Sequence, residues 1–313
     1  MNRSEINPII QKLRNFHWGE TISEMRANFE AAFTMPVPSD VIIKSVDANG
    51  VPADLISTPE ASSERMILYL HGGGYLFGSR NSYRRLASDL ATASKAQVLL
   101  IEYRLAPEHP FPAALEDSLI SYRWLIEKQK YDATQIAFAG DSAGGNLALS
   151  MMLSLKNDYK SLPACALLMS PFMDFARKGI SLQTLAEADP FVSPELLAIV
   201  VNSYLPDRNF LDPIVSPIHA NLSALPPLLI QVGSQEILLD DSLRLVSKAA
   251  RDNVAVELKV WQDMIHCFQL FAPNLGEGRQ AIEEAGAFLE QHLQIARGKL
   301  KNSDIYQTHN LST

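Results

Sequence analysis

Ser142 stands at the centre of Gly140-Asp141-Ser142-Ala143-Gly144-Gly145, after the apolar run Ile136 to Ala139 and before Leu, Ala and Met at helical spacing. The pattern reads as strand, sharp turn, helix. A serine on such a turn takes a strained backbone conformation that thrusts its hydroxyl above the sheet edge. Residues two before and two after it nearly collide, so Gly140 and Gly144 meet a steric need, and Gly145 lets the helix pack close to the strand. A serine hydroxyl is a poor nucleophile until an imidazole takes its proton, and the imidazole needs a carboxylate to fix its tautomer. His266 follows the last apolar strand run, Ala255 to Trp261, and Glu236 follows the run before it, Pro227 to Val232. Each of the three falls at the carboxyl end of an expected strand.

Other carboxylates compete for the role of acid. Asp240 and Asp241 open the helix after Glu236, where a carboxylate caps free amides and meets the positive end of the helix dipole. Asp263 lies on the same turn as His266, too local to be the expected partner. Glu236 is therefore the expected acid.

A tetrahedral intermediate also needs backbone donors for its oxyanion. His71-Gly72-Gly73-Gly74-Tyr75 follows the buried-strand run Met66 to Leu70, and three glycines free the backbone to turn its N–H groups toward a ligand. A phosphate cradle is the competing reading, but the lysine and Ser/Thr of a P-loop are absent. Preceding Ser142 by two strand–helix units, the loop sits where an oxyanion hole belongs in an α/β-hydrolase. His109, between Glu108 and Pro110 in a proline-fixed turn, reads as structural.

The elements that position these residues alternate in type. Apolar residues at helical intervals from Ile6 to Phe33 predict two amphipathic helices broken near Trp18-Gly19, and Asn49-Gly50 predicts a hairpin turn. Apolar strands then alternate with helices over Asn81–Ser94, Ala113–Lys128, Asp240–Asp252 and about 280–297. That alternation is the signature of a mostly parallel sheet covered by helices on both faces. The rhythm breaks from Asp174 to Pro217, where Asp189-Pro190, Ser193-Pro194 and Asp212-Pro213 punctuate the chain and Ser193 starts a helix through Tyr204. The expected division is 1–38 as N-terminal cap helices, 39–173 and 218–300 as the core, 174–217 as a cap insertion, and 301–313 as a polar, frayed tail.

The chain has 313 residues, 47% hydrophobic and 20% charged, enough to bury a sizeable core. A net charge of -8 argues against a nucleic-acid partner. No apolar run approaches the ~18 residues that would span a bilayer, and the N-terminus lacks a signal peptide's apolar core. With only Cys165 and Cys267, a disulfide framework is not expected and a cytoplasmic location is. No Cys/His cluster has metal-ligand spacing, so no metal is expected.

Taken together, His71-Gly-Gly-Gly74, Tyr103-Arg-Leu-Ala-Pro-Glu108, Gly140-Asp-Ser-Ala-Gly-Gly145, Gly233-Ser-Gln-Glu-Ile-Leu-Leu-Asp240 and Met264-Ile-His266 resemble the hormone-sensitive-lipase-like esterases, the bacterial family IV carboxylesterases. The resemblance runs from about Pro38 to Leu293. It implies an α/β-hydrolase core, a helical cap built from the N-terminus and the insertion, and no cofactor. It makes Ser142 the nucleophile, His266 the general base and Glu236 the acid, where Asp is commoner. It gives the oxyanion hole to the amides of Gly73, Gly74 and Ala143, with His71 and Gly72 shaping the loop. Tyr75, Phe29, Phe33 and Asp141 are the expected pocket residues. The implied substrate is a short- to medium-chain acyl ester cleaved through an acyl-enzyme; amides, lactones or an acetylated metabolite are alternatives. The fold also serves as a plant hormone receptor when the histidine is lost, which His266 disfavours here. The family often dimerises through its last sheet strand, here Ala255 to Trp261.

Overall fold

The computed structural model describes residues 3–158, 160–207 and 209–309. Two helices come first, α1 (Arg3–Arg14) and α2 (Ile22–Phe33), separated around Trp18-Gly19 as the periodicity predicts. Thr21 and Glu24 form a reciprocal capping box at the start of α2, a device that stabilises a helix by about 1 kcal/mol. Met25, Phe29 and Phe33, at i, i+4 and i+8, form its buried stripe. Strands β1 (Ile42–Asp47) and β2 (Pro52–Ser57) make the expected hairpin, with both turn residues Asn49 and Gly50 at positive φ.

The core continues with β3 (Ser62–Leu70), α3 (Arg80–Ser94), β4 (Ala96–Ile101), α4 (Ala113–Glu127), β5 (Ile136–Asp141), α5 (Ala143–Asn157) and β6 (Ala166–Met169). After the insertion, which carries α6 (Ser181–Thr184) and α7 (Pro194–Tyr204), come β7 (Leu228–Gly233), α8 (Leu239–Arg251), β8 (Val256–Trp261) and α9 (Gly276–His309). The eight strands form one sheet in the order β1-β2-β4-β3-β5-β6-β7-β8. The pairings of β1 with β2 and of β2 with β4 are antiparallel, and every other pairing is parallel. Helices α3 and α9 pack together against one face of the sheet, while α4, α5 and α8 lie on the other. The central strands are buried throughout, so they read as unbroken apolar runs rather than alternating ones. Strand β8 is at the sheet edge, the place that pairing with a second chain requires, and its Val260 is exposed.

Two expectations differ from what is found. Helix α9 continues past Arg297 to His309, with no proline after Pro273 to interrupt it; residues 310–313 of the expected tail lie outside the described residues. Asp240 and Asp241 lie in the first turn of α8, at the positive end of its dipole as expected, but they do not cap it, and its start has no side-chain cap. They turn to the insertion instead. Asp240 Oδ2 accepts the Ile180 N–H at 2.8 Å, and Asp241 Oδ2 accepts those of Met173 and Asp174 at 2.7 and 3.1 Å. The Met173 and Asp174 amides are buried away from water and Asp241 satisfies them, while the Asp240 bond to Ile180 lies at the exposed rim. Arg244 closes the cluster on Asp174 at 2.8 Å.

Burial, with neighbouring Asp174, pushes the Asp241 carboxyl up to about 7. Folding therefore tightens its hold on a proton. The stability this contributes is full below the ordinary carboxylate range and is lost as pH rises through about 7. Asp241→Asn keeps an acceptor for both amides without the charge. Its melting temperature relative to wild type should be more favourable at pH 8.5 than at pH 5.5, and thermal unfolding at the two values checks this.

Candidate active site

Ser142 is the single residue between β5 and α5, and its backbone sits at φ 51°, ψ −116°. The strain is imposed by crowding. A Cβ on Gly140 would overlap the Gly144 carbonyl, and one on Gly144 would overlap the Leu70 carbonyl oxygen. The turn is pinned by the Ser142 N–H, which donates to Met169 O at 2.8 Å, and by the Asn146 N–H, which donates to Ser142 O at 3.1 Å.

Glu236 is fully buried in the loop between β7 and α8. Its Oε2 accepts the Ser170 hydroxyl at 2.7 Å and the Gly233 N–H at 2.8 Å, which leaves Oε1 for His266 Nδ1 at 3.2 Å. His266 follows β8 and is 4% exposed. Burial alone would lower its pKa, but the bond to Glu236 and the charges of Glu236, Asp189 and Asp141 outweigh it and hold the imidazole above its usual value. Its Nε2 lies 3.3 Å from Cys267 Sγ, and among the described residues no hydrogen bond joins it to Ser142 Oγ. Both side chains face one cavity, and such bonds often close only with substrate in place.

The glycine loop borders the same cavity. Gly73 and Gly74 have φ +104° and +61°, and a Cβ on Gly73 would overlap the Phe77 carbonyl. Gly73 O accepts the N–H groups of Leu76 and Phe77, both at 3.0 Å, so the loop is a tight turn. The amides of Gly73 and Gly74 donate to nothing among the described residues. Ala143, first in α5, has an N–H with no acceptor inside its helix. His71 braces the loop from behind. Its Nδ1 donates to Gly72 O at 2.8 Å, its ring stacks on Tyr103 at 4.1 Å, and burial lowers its pKa so that it stays neutral. Gly72 donates its N–H to Asp141 Oδ1 at 2.9 Å, and the Tyr69 and Tyr83 hydroxyls donate to Asp141 as well.

The cavity is lined by Ser142 and His266 among its polar residues. Trp18 and Phe29 come from the N-terminal segment; Phe191, Val192, Leu196, Leu197 and Val200 come from the insertion. Those walls are apolar.

The chain's relatives share this architecture. A family model described as the alpha/beta hydrolase fold matches residues 67–270. An acetyl-hydrolase of Streptomyces hygroscopicus is 40% identical over 247 residues, covering 76% of this chain and 82% of the relative. An esterase of Acinetobacter venetianus is 38% identical over 254 residues, 81% and 83% of the two chains. A solved esterase of the bacterial hormone-sensitive lipase family matches with a TM-score of 0.90 at 40% identity, over 93% of this chain and 98% of that one. The chain belongs to the α/β-hydrolase family, as a hormone-sensitive-lipase-like carboxylesterase. Carboxylic ester hydrolysis is its reaction class.

Of the esterase's expected pocket residues, Phe29 and Asp141 line the cavity, while Phe33 and Tyr75 do not. Phe33 stands behind the wall, 4.4 Å from Phe29 and 5.4 Å from Phe191 between ring centres. Tyr75 points the other way: its ring stacks on Tyr204 at 3.7 Å and its hydroxyl donates to Asn146 Oδ1 at 2.6 Å. The positive φ of 61° at Tyr75, right after Gly74, turns the side chain out of the loop's line. Sequence reasoning missed Trp18, Phe77, Phe191, Ser170 and Cys267. Nearness of Phe77 to the glycine loop was a usable signal; nothing local marks Ser170, which joins Glu236 to the Cys267 amide only through the fold. As no membrane-crossing candidate, no described helix is long and apolar enough to span a bilayer.

Because Tyr75 is a brace, Tyr75→Phe should destabilise the fold by about 1 kcal/mol, the cost of losing the short bond to Asn146 Oδ1 and leaving that oxygen only the long Ser150 Oγ contact at 3.4 Å. KM for a small ester should stay within about twofold of wild type, a margin that corresponds to under ~0.5 kcal/mol. Denaturant unfolding alongside steady-state kinetics checks both.

Proposed function

We propose that the enzyme hydrolyses short- to medium-chain acyl esters in two steps through an acyl-enzyme on Ser142. His266 Nε2 takes the Ser142 proton as Oγ attacks the ester carbonyl, and Glu236 at 3.2 Å from Nδ1 holds the tautomer and stabilises the imidazolium. The carbonyl oxygen becomes an oxyanion held by the N–H groups of Gly73, Gly74 and Ala143. The imidazolium returns its proton to the departing alkoxide, leaving an acyl ester on Oγ. Water, deprotonated by His266, then attacks that ester; collapse releases the carboxylic acid and restores the serine hydroxyl.

The observation that carries this reading is the buried Glu236 carboxylate on His266 Nδ1, with His266 and the strained Ser142 lining one cavity. The chain-length preference rests on the apolar cavity walls, closed by Trp18, Phe29 and the insertion, which suit a modest acyl chain rather than a long one.

A fluorophosphonate should label Ser142 and abolish hydrolysis of p-nitrophenyl butyrate. Ser142→Ala should lose at least ~10³-fold in kcat, and Glu236→Gln up to ~10⁴-fold. Full activity in Ser142→Ala contradicts the reading.

His266 must be neutral to accept the serine proton, and its pKa lies above the usual imidazole value because its bond to Glu236 and the surrounding carboxylates outweigh burial. The acid limb of kcat/KM should therefore fall at a higher pH than an unperturbed imidazole gives. A pH–rate profile flat from neutral to moderately acid contradicts the role.

A further inference from the structure

Asp189 begins one of the insertion's Asp-Pro steps, which read in the sequence as punctuation alone. Its side chain is buried, with 8% of the residue exposed. Oδ1 accepts the N–H groups of Phe191 and Val192, both at 2.9 Å. Those two bonds make a local turn that any aspartate before such a loop can form. The other oxygen does something a local turn does not require. Oδ2 accepts the N–H of Ile237 at 3.0 Å, 48 residues along the chain and next to Glu236.

Both ends of this bridge touch the site. Phe191 and Val192 line the cavity, and Ile237 follows the residue whose Oε1 meets His266 Nδ1. A buried carboxylate is costly unless its lone pairs are engaged, and here three backbone donors engage them. We propose that Asp189 is a positioning residue for the triad, its two carboxylate oxygens holding the wall of the acyl cavity and the loop of Glu236 in one register. The inference rests on the Ser142–His266–Glu236 reading above.

Its charge also reaches the imidazole. The groups facing His266 are Glu236 from the loop after β7, Asp189 from the insertion, Asp141 from the end of β5 and the Cys267 thiol beside it. Each of the three carboxylates favours the imidazolium. Removing the Asp189 charge therefore disfavours it and lowers the pH at which the base is lost.

Two variants separate positioning from simple support. Asp189→Asn removes the charge and leaves one oxygen, so it cannot accept on both sides at once. Asp189→Ser keeps an acceptor for the local turn but loses the reach to Ile237 and the charge. For both we expect kcat/KM on p-nitrophenyl butyrate to fall by about ten- to a hundredfold, the scale of a displaced catalytic group. The acid limb should move to lower pH, and fluorophosphonate labelling of Ser142 should slow in parallel. Folded variants with the wild-type acid limb and labelling rate overturn the proposal. Failure of both variants to fold, read by circular dichroism, assigns Asp189 to the fold alone and also overturns it. If wild type itself is not labelled at Ser142, the underlying triad reading fails. If Glu236→Gln is inactive while both Asp189 variants behave as wild type, this inference alone fails.

Discussion

Everything at the site depends on how closely the β5–α5 turn is pressed against the end of β3. The Cα of Gly144 lies against the Leu70 carbonyl with no room for a side chain, and Gly140 meets Gly144 the same way. This contact holds Ser142 at a backbone conformation that costs about 1–3 kcal/mol, offset by the surrounding packing. It also brings the glycine loop after Leu70 alongside the serine. One steric constraint thus places the hydroxyl and the free amides of Gly73 and Gly74 around a common space.

The second requirement is electrostatic. Three buried carboxylates, Glu236, Asp189 and Asp141, surround one imidazole. Buried negative charge is tolerated only where donors meet it. Ser170 and Gly233 serve Glu236; Tyr69, Tyr83 and Gly72 serve Asp141; and backbone amides of the insertion and of the loop after Glu236 serve Asp189. The insertion is thereby tied to the loop that carries Glu236 and not merely laid over it. Buried Asp241 extends the same logic to the start of the insertion, where it accepts the Asp174 N–H.

Much of this was legible in the sequence where the constraint is local. Gly140 and Gly144 flank Ser142 because of a steric clash two residues wide, and Ser193-Pro194 starts α7 because cap and first turn are adjacent. The alternation of buried strands and helices gave the mostly parallel sheet for the same reason. Long-range pairings left no such trace. Asp189 reaches Ile237, Asp241 reaches Met173, and Ser170 reaches Glu236 only after the chain has folded, so the sequence offers Asp189 only as punctuation, Asp241 only as a helix-start carboxylate, and Ser170 with no mark at all. Tyr75 misled through adjacency: next to Gly74 in sequence, it is turned toward Tyr204 and Asn146 by its own positive φ.

Partitioning of products tests the proposed covalent acyl-enzyme most directly. Esters sharing one acyl group but differing in leaving alcohol are hydrolysed with added methanol, and the ratio of methyl ester to acid is measured for each. A common intermediate on Ser142 forgets its leaving group, so one ratio is expected across the series. A ratio that changes with the leaving alcohol would mean that water and methanol attack the substrate itself, and would contradict it.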